Sequence, residues 1–437
     1  MSIIKKIENY FELAKYETNW KTEILAGVST YLSLAYIFIV NPAILSSSGM
    51  NVSAVLFATV IASGISTLAM GLWARLPFAL APGLEMNGFF AFVVVGTLGL
   101  TWNQALGAVF WSGLLCILFT ILPIRKAIVD SIPLGLKKAM AVSVGIFVVT
   151  IGLFLSGLVS FDNGQIKTVN IAITPKVIAL VIGLVLAIVL NLKKIRFVGG
   201  FLIAIVVATV YCKTQGIVQA NPAQVSSDMF LAVGQLDFFP IDFWKILPVF
   251  LVFFLLDFYG SIGKFIGLTA ATNLTQKDGS LVRIEKAMNV DGIGTVGGAL
   301  LGTSSIITYV ESAIGIASGG RTGIVAVVCG LLMLLSLAFT PLVGLVPVEA
   351  TSGILIYVGY LLIRDTWGEK HLVRFDYLIA ILMAVISLLT FSLDKAMLLG
   401  FVLYTGKQIF VDKTYNWYLI GSTVFVTLSV VLQYFLK

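Results

Sequence analysis

Residues 302–323 read GTSSIITYVESAIGIASGGRTG, a stretch in which one carboxylate, Glu311, stands among apolar residues between two glycine-rich breaks. The segment between the breaks has about half of the roughly 20 residues a helix needs to cross a bilayer. It reads as a half-helix entered through Ser305, Ile306, Ile307 and Thr308. Irregular backbone is tolerated at membrane depth only where protein covers it or it lines a cavity. Transporters keep substrate and ion sites at such breaks, so the stretch points to a transporter built from interrupted helices.

The rest of the chain fits that reading. Of 437 residues, 59% are hydrophobic and only 11% charged, which describes an all-α polytopic membrane protein and excludes a soluble fold of one or two domains. Residues 1–21 form a charged amphipathic leader carrying Lys5, Lys6, Lys15 and Lys21, without a small-residue cleavage site, so the first apolar segment is expected to stay as a helix. The net charge of +7 falls in short loops between apolar spans, where it sets topology and gives no reason to expect nucleic acid. Cys116, Cys212 and Cys329 lie far apart, and the only histidine is His371. No metal centre, cofactor, disulfide framework or enzymatic constellation is expected from them.

Apolar spans fall at 22–40, 52–73, 77–97, 102–122, 138–160, 176–192 and 197–212, then at 247–270, 286–303, 305–318, 322–345, 350–363, 376–391 and 394–411. A last run, 415–436, can span the membrane or lie at its interface. With the N-terminus in the cytoplasm, alternate loops receive Arg75; Arg125, Lys126, Lys137 and Lys138; Lys193, Lys194 and Arg196; Lys277, Arg283 and Lys286; Arg321; and Arg364, Lys370 and Arg374. The positive-inside rule is thus met by a single assignment with seven spans per half, which makes the second half inverted relative to the first. A bacterial inner membrane suits this pattern best.

Inversion predicts that span 3 resembles span 10. Residues 78–92, FALAPGLEMNGFFAF, are broken by Pro82 and Gly83, and Glu85 and Asn87 follow. The break predicts an extended piece and a half-helix beginning near Leu84, with free N–H groups of both half-helices aimed at one midplane cavity. Span 8 carries Asp257, Ser261 and Lys264 on one helical stripe. Ionisable groups at that depth face cavities, pair, or relay protons. In span 9, Gly294, Gly298 and Gly302 repeat every four residues, a face for close packing that is expected to bring spans 3, 8 and 10 together. Spans 5–7 and 12–14 are almost free of interior charge and form a second, more uniform unit against which the polar unit moves.

Several stretches carry a family likeness. Residues 36–45 (YIFIVNPAIL), 78–90 (FALAPGLEMNGFF), 132–137 (IPLGLK), 308–313 (TYVESA) and 319–323 (GGRTG) resemble the nucleobase/cation symporters of the nucleobase/ascorbate group, in the azaguanine-like purine permease branch. The resemblance implies a 7+7 inverted repeat of fourteen spans. It divides the chain into a core (22–122 and 247–345), a gate (138–212 and 350–411) and an extra C-terminal helix (415–437). It implies import of a purine-like nucleobase with a proton by an elevator-type movement of core against gate, and it allows a homodimer. By position, Glu311 binds ring nitrogens, Asn87 sits at the span 3 break, Asp257 is the span 8 acid, and Tyr309, Val310 and Ser312 line the pocket.

The chemistry agrees. A nucleobase edge offers adjacent N–H donors and carbonyl or ring-nitrogen acceptors, which a carboxylate and an amide read well. A carboxylate at that depth can also take a proton on one side and release it on the other; Asp257, Glu311 and Glu85 are the candidates. Three positions depart from the branch: Glu85 stands for a small residue, Gly260 for a second acid, and Lys264 for a small polar residue. They suggest a Glu85–Lys264 pair and leave open, as the alternative, another small polar or ionic organic solute on the same scaffold. A channel or a membrane enzyme fits less well, because one isolated polar zone at mid-depth is neither a continuous polar path nor a catalytic cluster.

Overall fold

The structure, a computed structural model, describes residues 3–122, 131–162, 165–170, 172–191, 200–217, 226–238, 243–270, 283–343, 345–367 and 373–435. Arg125, Lys126, Lys193, Lys194, Arg196, Lys277, Lys370 and His371 lie outside the described residues. The unbroken apolar spans are helical. Span 1 is Trp20–Leu34 and Ile37–Leu45 with a turn at Tyr36, span 2 is Val52–Ala69, and span 4 is Trp102–Ile121. Spans 5 to 7 are Leu134–Leu155, Pro175–Asn191 and Gly200–Thr214. Span 8 is Phe243–Ala270, span 9 Ile284–Leu301 and span 11 Gly323–Leu335. Spans 12 to 14 are Ser352–Trp367, Arg374–Thr390 and Leu393–Phe410. The last helix, Trp417–Phe435, packs on spans 8 and 14. Among the described residues, five helices are long and apolar enough to cross a membrane by length and composition.

Spans 3 and 10 are the broken ones. β1 (Leu80–Pro82) and β4 (Ile306–Thr308) pair antiparallel, Leu80 opposite Thr308 and Pro82 opposite Ile306, and all six residues are buried. Between them in sequence lies the surface hairpin of β2 (Val159–Asp162) and β3 (Gln165–Val169). A two-stranded sheet has two open edges, and a buried open edge leaves polar backbone without water. Here side chains close both edges. The Thr67 hydroxyl accepts from Leu80 N–H at 2.9 Å and donates to the Leu80 carbonyl at 3.1 Å. On the other edge, Asp291 accepts from Thr308 N–H at 3.0 Å, and Thr295 donates to the Ile306 carbonyl at 3.1 Å. Two polar residues on span 9 and one on span 2 therefore let a sheet exist at this depth.

The helices around the strands pack closely through glycine. A Cβ at Gly323 would lie 2.2 Å from the Gly71 carbonyl oxygen, and one at Gly71 would lie 2.5 Å from that of Gly323. Spans 5 and 12 meet in the same way at Gly145 and Gly359. Overpacking such a contact costs about 1–3 kcal/mol. Gly323→Ala is accordingly expected to lower the thermal unfolding midpoint in detergent, whereas Gly297→Ala, which meets nothing within 4 Å, leaves it unchanged.

The glycine face of span 9 differs from expectation. A Cβ at Gly294 would meet Ser66 of span 2 and Ile306, one at Gly298 would meet Ile306 and Ser304, and one at Gly302 would meet Ala232. The face admits span 2 and the span 10 strand, not spans 3 and 8. Strand β4 lies along span 9 and takes the place that helix packing would have given to the others.

The leader is a helix, Ile3–Phe11, and Phe11 and Leu13 pack on Ile324 of span 11. Glu12 follows it and bonds Arg283 at 2.9 Å and Lys15 at 3.3 Å. Partial burial pushes the Glu12 carboxyl up, but Arg283 and Lys15 outweigh it and hold the group below its usual range.

Candidate substrate site

Because the strands run antiparallel, the two half-helices leave from opposite ends of the short sheet, one after Pro82 beside Ile306 and the other after Thr308 beside Leu80. On span 3, Gly83 caps Leu84–Gly88, which continues as π-type turns through Phe89–Val95. On span 10, a turn over residues 309–311 leads into Ser312–Ala317. The N–H groups of Ser312, Ala313 and Ile314 are taken by the carbonyls of Tyr309, Val310 and Glu311. The free backbone donors expected at this end of span 10 are therefore used inside the turn, because the chain closes tightly there. Side chains carry the polarity instead.

Glu311 is buried, and its Oε1 accepts from the Tyr36 hydroxyl at 2.7 Å. Its Oε2 is buried without a partner. Across the strands, Asn87 accepts from the Ser304 hydroxyl at its Oδ1, while its Nδ2 is buried without a partner. Leaving such atoms unpaired costs about 1–3 kcal/mol each, more for a charged group. Each half thus contributes one orphan, an acceptor on Glu311 and a donor on Asn87, which a bound polar ligand would relieve.

Glu85 pairs with Lys264, with Oε1 and Nζ 2.8 Å apart, and both side chains are largely buried. The Lys264 ammonium also lies 5.9 Å from the centre of the Tyr309 ring. A Cβ at Gly260 would come within 3.8 Å of Glu85 Oε1. An acid at 260 would thus face Glu85, so the absence of one there and its presence on span 3 belong together physically.

Asp257 lies 2.9 Å from the Thr295 hydroxyl and 3.3 Å from that of Ser261, and each of these hydroxyls has one proton to share between Asp257 and a second acceptor. Ser261 also donates to Asp291 on span 9, and both aspartates are fully buried. Asp257 is thereby joined to the strand edge that Asp291 and Thr295 close. Asp291→Ala orphans the Thr308 N–H and removes an acceptor from Ser261, so a destabilisation of about 2–5 kcal/mol is expected. A falling thermal midpoint checks it, with Asp291→Asn, which keeps an acceptor, recovering most of the loss.

The remaining expected residues divide. Tyr309 donates its hydroxyl to the Pro82 carbonyl at 2.5 Å, and Ser312 accepts from Ala79 N–H at 2.9 Å; both brace the strands. Val310 is exposed at 37% while its neighbours Tyr309 and Glu311 are buried. Sequence reading passed over Asp291 and Tyr36. An aspartate at mid-span was signal enough for the first, but nothing local marked the second. The GGRTG stretch proves to be an anchor: buried Glu23 accepts from the N–H groups of Arg321 and Thr322 and from the Thr322 hydroxyl. Two surface clefts, about 420 Å³ between spans 6 and 12 and about 180 Å³ beside spans 2 and 9, contain none of the expected site residues.

Comparison with known proteins places these features. Residues 21–389 match the model of the Permease family (Xan_ur_permease). The chain is 34% identical over 403 residues to adenine permease AdeQ of Escherichia coli (strain K12), covering 91% of this chain and 89% of that one. It is 32% identical over 413 residues to guanine/hypoxanthine permease PbuO of Bacillus subtilis (strain 168), covering 90% and 93%. Among solved structures, the transmembrane domain of a cyanobacterium bicarbonate transporter, BicA, superposes with a TM-score of 0.66 at 17% identity, over 87% of this chain and 96% of that one. Such a likeness speaks for the fold alone, which is the 7+7 inverted repeat. By its family match and its near full-length similarity to two permeases, this chain belongs to the Permease family and is a multi-pass membrane transporter, not an enzyme.

Proposed function

We propose that the protein imports a nucleobase, purine-like in shape, together with a proton. The observation that most supports it is the pair of buried unpartnered atoms, Glu311 Oε2 and Asn87 Nδ2. One accepts and the other donates, which is the complement of a ligand carrying both an N–H and a carbonyl or ring nitrogen. That two near full-length relatives are named as adenine and guanine/hypoxanthine permeases agrees with this reading. In it Glu311, Asn87 and the turn at Tyr309, Val310 and Ser312 surround the base, Glu85 and Lys264 border it, and Asp257 with Ser261 stands behind. Asp257, Glu311 and Glu85 remain the candidates to carry the proton.

The packing supports a division of labour. Spans 1, 2, 4, 8, 9 and 11 pack on one another and enclose the strands, while span 5 packs on spans 12 and 13 and span 6 on spans 7 and 12. The first group would move as a core against the second, with the N-terminus in the cytoplasm of a bacterial inner membrane. The Lys264 ammonium gives a second reading its foothold: a cation beside the site suits an anionic or strongly polar solute.

The test is uptake of a labelled panel of purines, pyrimidines and small organic anions, with and without a proton uncoupler. Saturable accumulation of a purine that collapses with the gradient is expected. Accumulation of an anion alone would favour the second reading, and downhill non-saturating flux would refute both.

A further inference from the structure

We propose that Tyr36 is the positioning residue that orients the Glu311 carboxylate and so sets which edge of the substrate the site accepts; the proposal rests on the nucleobase reading above. Tyr36 is fully buried at the turn between the two helical pieces of span 1. Its hydroxyl holds one carboxylate oxygen at 2.7 Å and leaves the other unpartnered. A carboxylate has two equivalent oxygens and rotates about its terminal bond with little cost. The Tyr36 donor on Oε1 restricts that freedom and presents Oε2 in one direction. Asn87 is treated in the same way: Ser304 holds its Oδ1, and Nδ2 is left over. In each half of the site a hydroxyl binds one atom of a two-atom group and makes the other the ligand-reading atom.

The Tyr36 ring is itself braced from spans 7 and 12. It meets Phe201 edge-on at 5.4 Å between ring centres, and Phe201 meets Tyr357 at 5.8 Å. The phenol thus has a packed ring and a directed hydroxyl, and the two can be changed separately. Adenine, hypoxanthine and guanine differ in the order of donors and acceptors along the ring edge, so a carboxylate free to rotate should discriminate among them less.

The experiment measures KM and Vmax for the three bases in cells or vesicles carrying the full-length protein. Tyr36→Phe keeps the ring and loses the hydroxyl. It is expected to raise KM for the best substrate about tenfold, to change Vmax less than about twofold, and to bring the KM ratios among bases toward one. A merely structural role would scale every base by the same factor. A common factor, or no change, overturns the proposal. Should Tyr36→Phe fail to reach the membrane, Phe201→Leu leaves the hydroxyl but unseats the ring. Narrowed ratios there support the proposal, and wild-type ratios at normal abundance overturn it. Wild-type protein that takes up none of the three bases fails the nucleobase reading and this proposal with it, whereas wild-type uptake with unaltered ratios in both variants fails this proposal alone.

Discussion

Glu311→Gln is expected to abolish saturable uptake while leaving membrane abundance and thermal midpoint near those of the wild type. The amide has the shape of the carboxylate, and its oxygen can still accept from the Tyr36 hydroxyl, which donates to Oε1 at 2.7 Å in the native protein. That bond then forces the NH₂ group into the place of Oε2, the unpartnered atom. A donor would face the ligand's N–H, so a charge-assisted bond is exchanged for two opposed donors. Losing a bond to a charged group removes about 1.5–3 kcal/mol, and leaving a buried donor unmatched adds about 1–3 kcal/mol. Together these predict a fall in uptake efficiency on the order of 10²- to 10³-fold or more. Concentration-dependent uptake at matched protein abundance measures it, and efficiency within about threefold of wild type would remove Glu311 from the site.

The second large effect concerns Lys264. Lys264→Met keeps most of the apolar stem and deletes the ammonium 2.8 Å from Glu85. The Glu85 carboxylate is then buried against the half-helix without its cation. Breaking one side of a buried pair typically costs about 3–5 kcal/mol, whereas replacing both partners with neutral groups is often near neutral. Lys264→Met is therefore expected to reduce abundance and thermal midpoint sharply, and Glu85→Gln in the same chain to restore them. The rescued double variant then separates the two functional readings. Base uptake that survives in it makes the pair structural, and uptake lost despite a restored midpoint makes it part of solute recognition. A single Lys264→Met variant as stable as wild type would contradict the pairing.

Both predictions depend on contacts between residues far apart in the chain, which no local preference encodes. The break in span 3 was legible because Pro82 and Gly83 forbid continuous helix locally, and the one in span 10 because glycines bound a segment too short to cross. Hydropathy marked the apolar stretches on which the described helices lie, since burial in lipid leaves a one-dimensional record in composition. Glu85, Asn87, Asp257 and Glu311 stood out because polar groups at that depth are costly enough to need a reason. Asp291 had the same signal and was passed over, because the glycine repeat around it read as packing alone.

By itself, then, the sequence determined the membrane class, the repeated halves, the two interruptions and most of the polar residues that gather there, because each follows from local polarity and backbone preference. Only the tertiary structure decided the register of Leu80 on Thr308, the side chains that close the strand edges, the use of the span 10 N–H groups within their own turn, and the partners of Glu311, Asn87 and Glu85. Tyr36 and Glu311 stand 275 residues apart, and no local preference links them. A hydrogen bond at that separation exists only because folding lays span 1 beside span 10, and it decides which oxygen of Glu311 is left for a ligand.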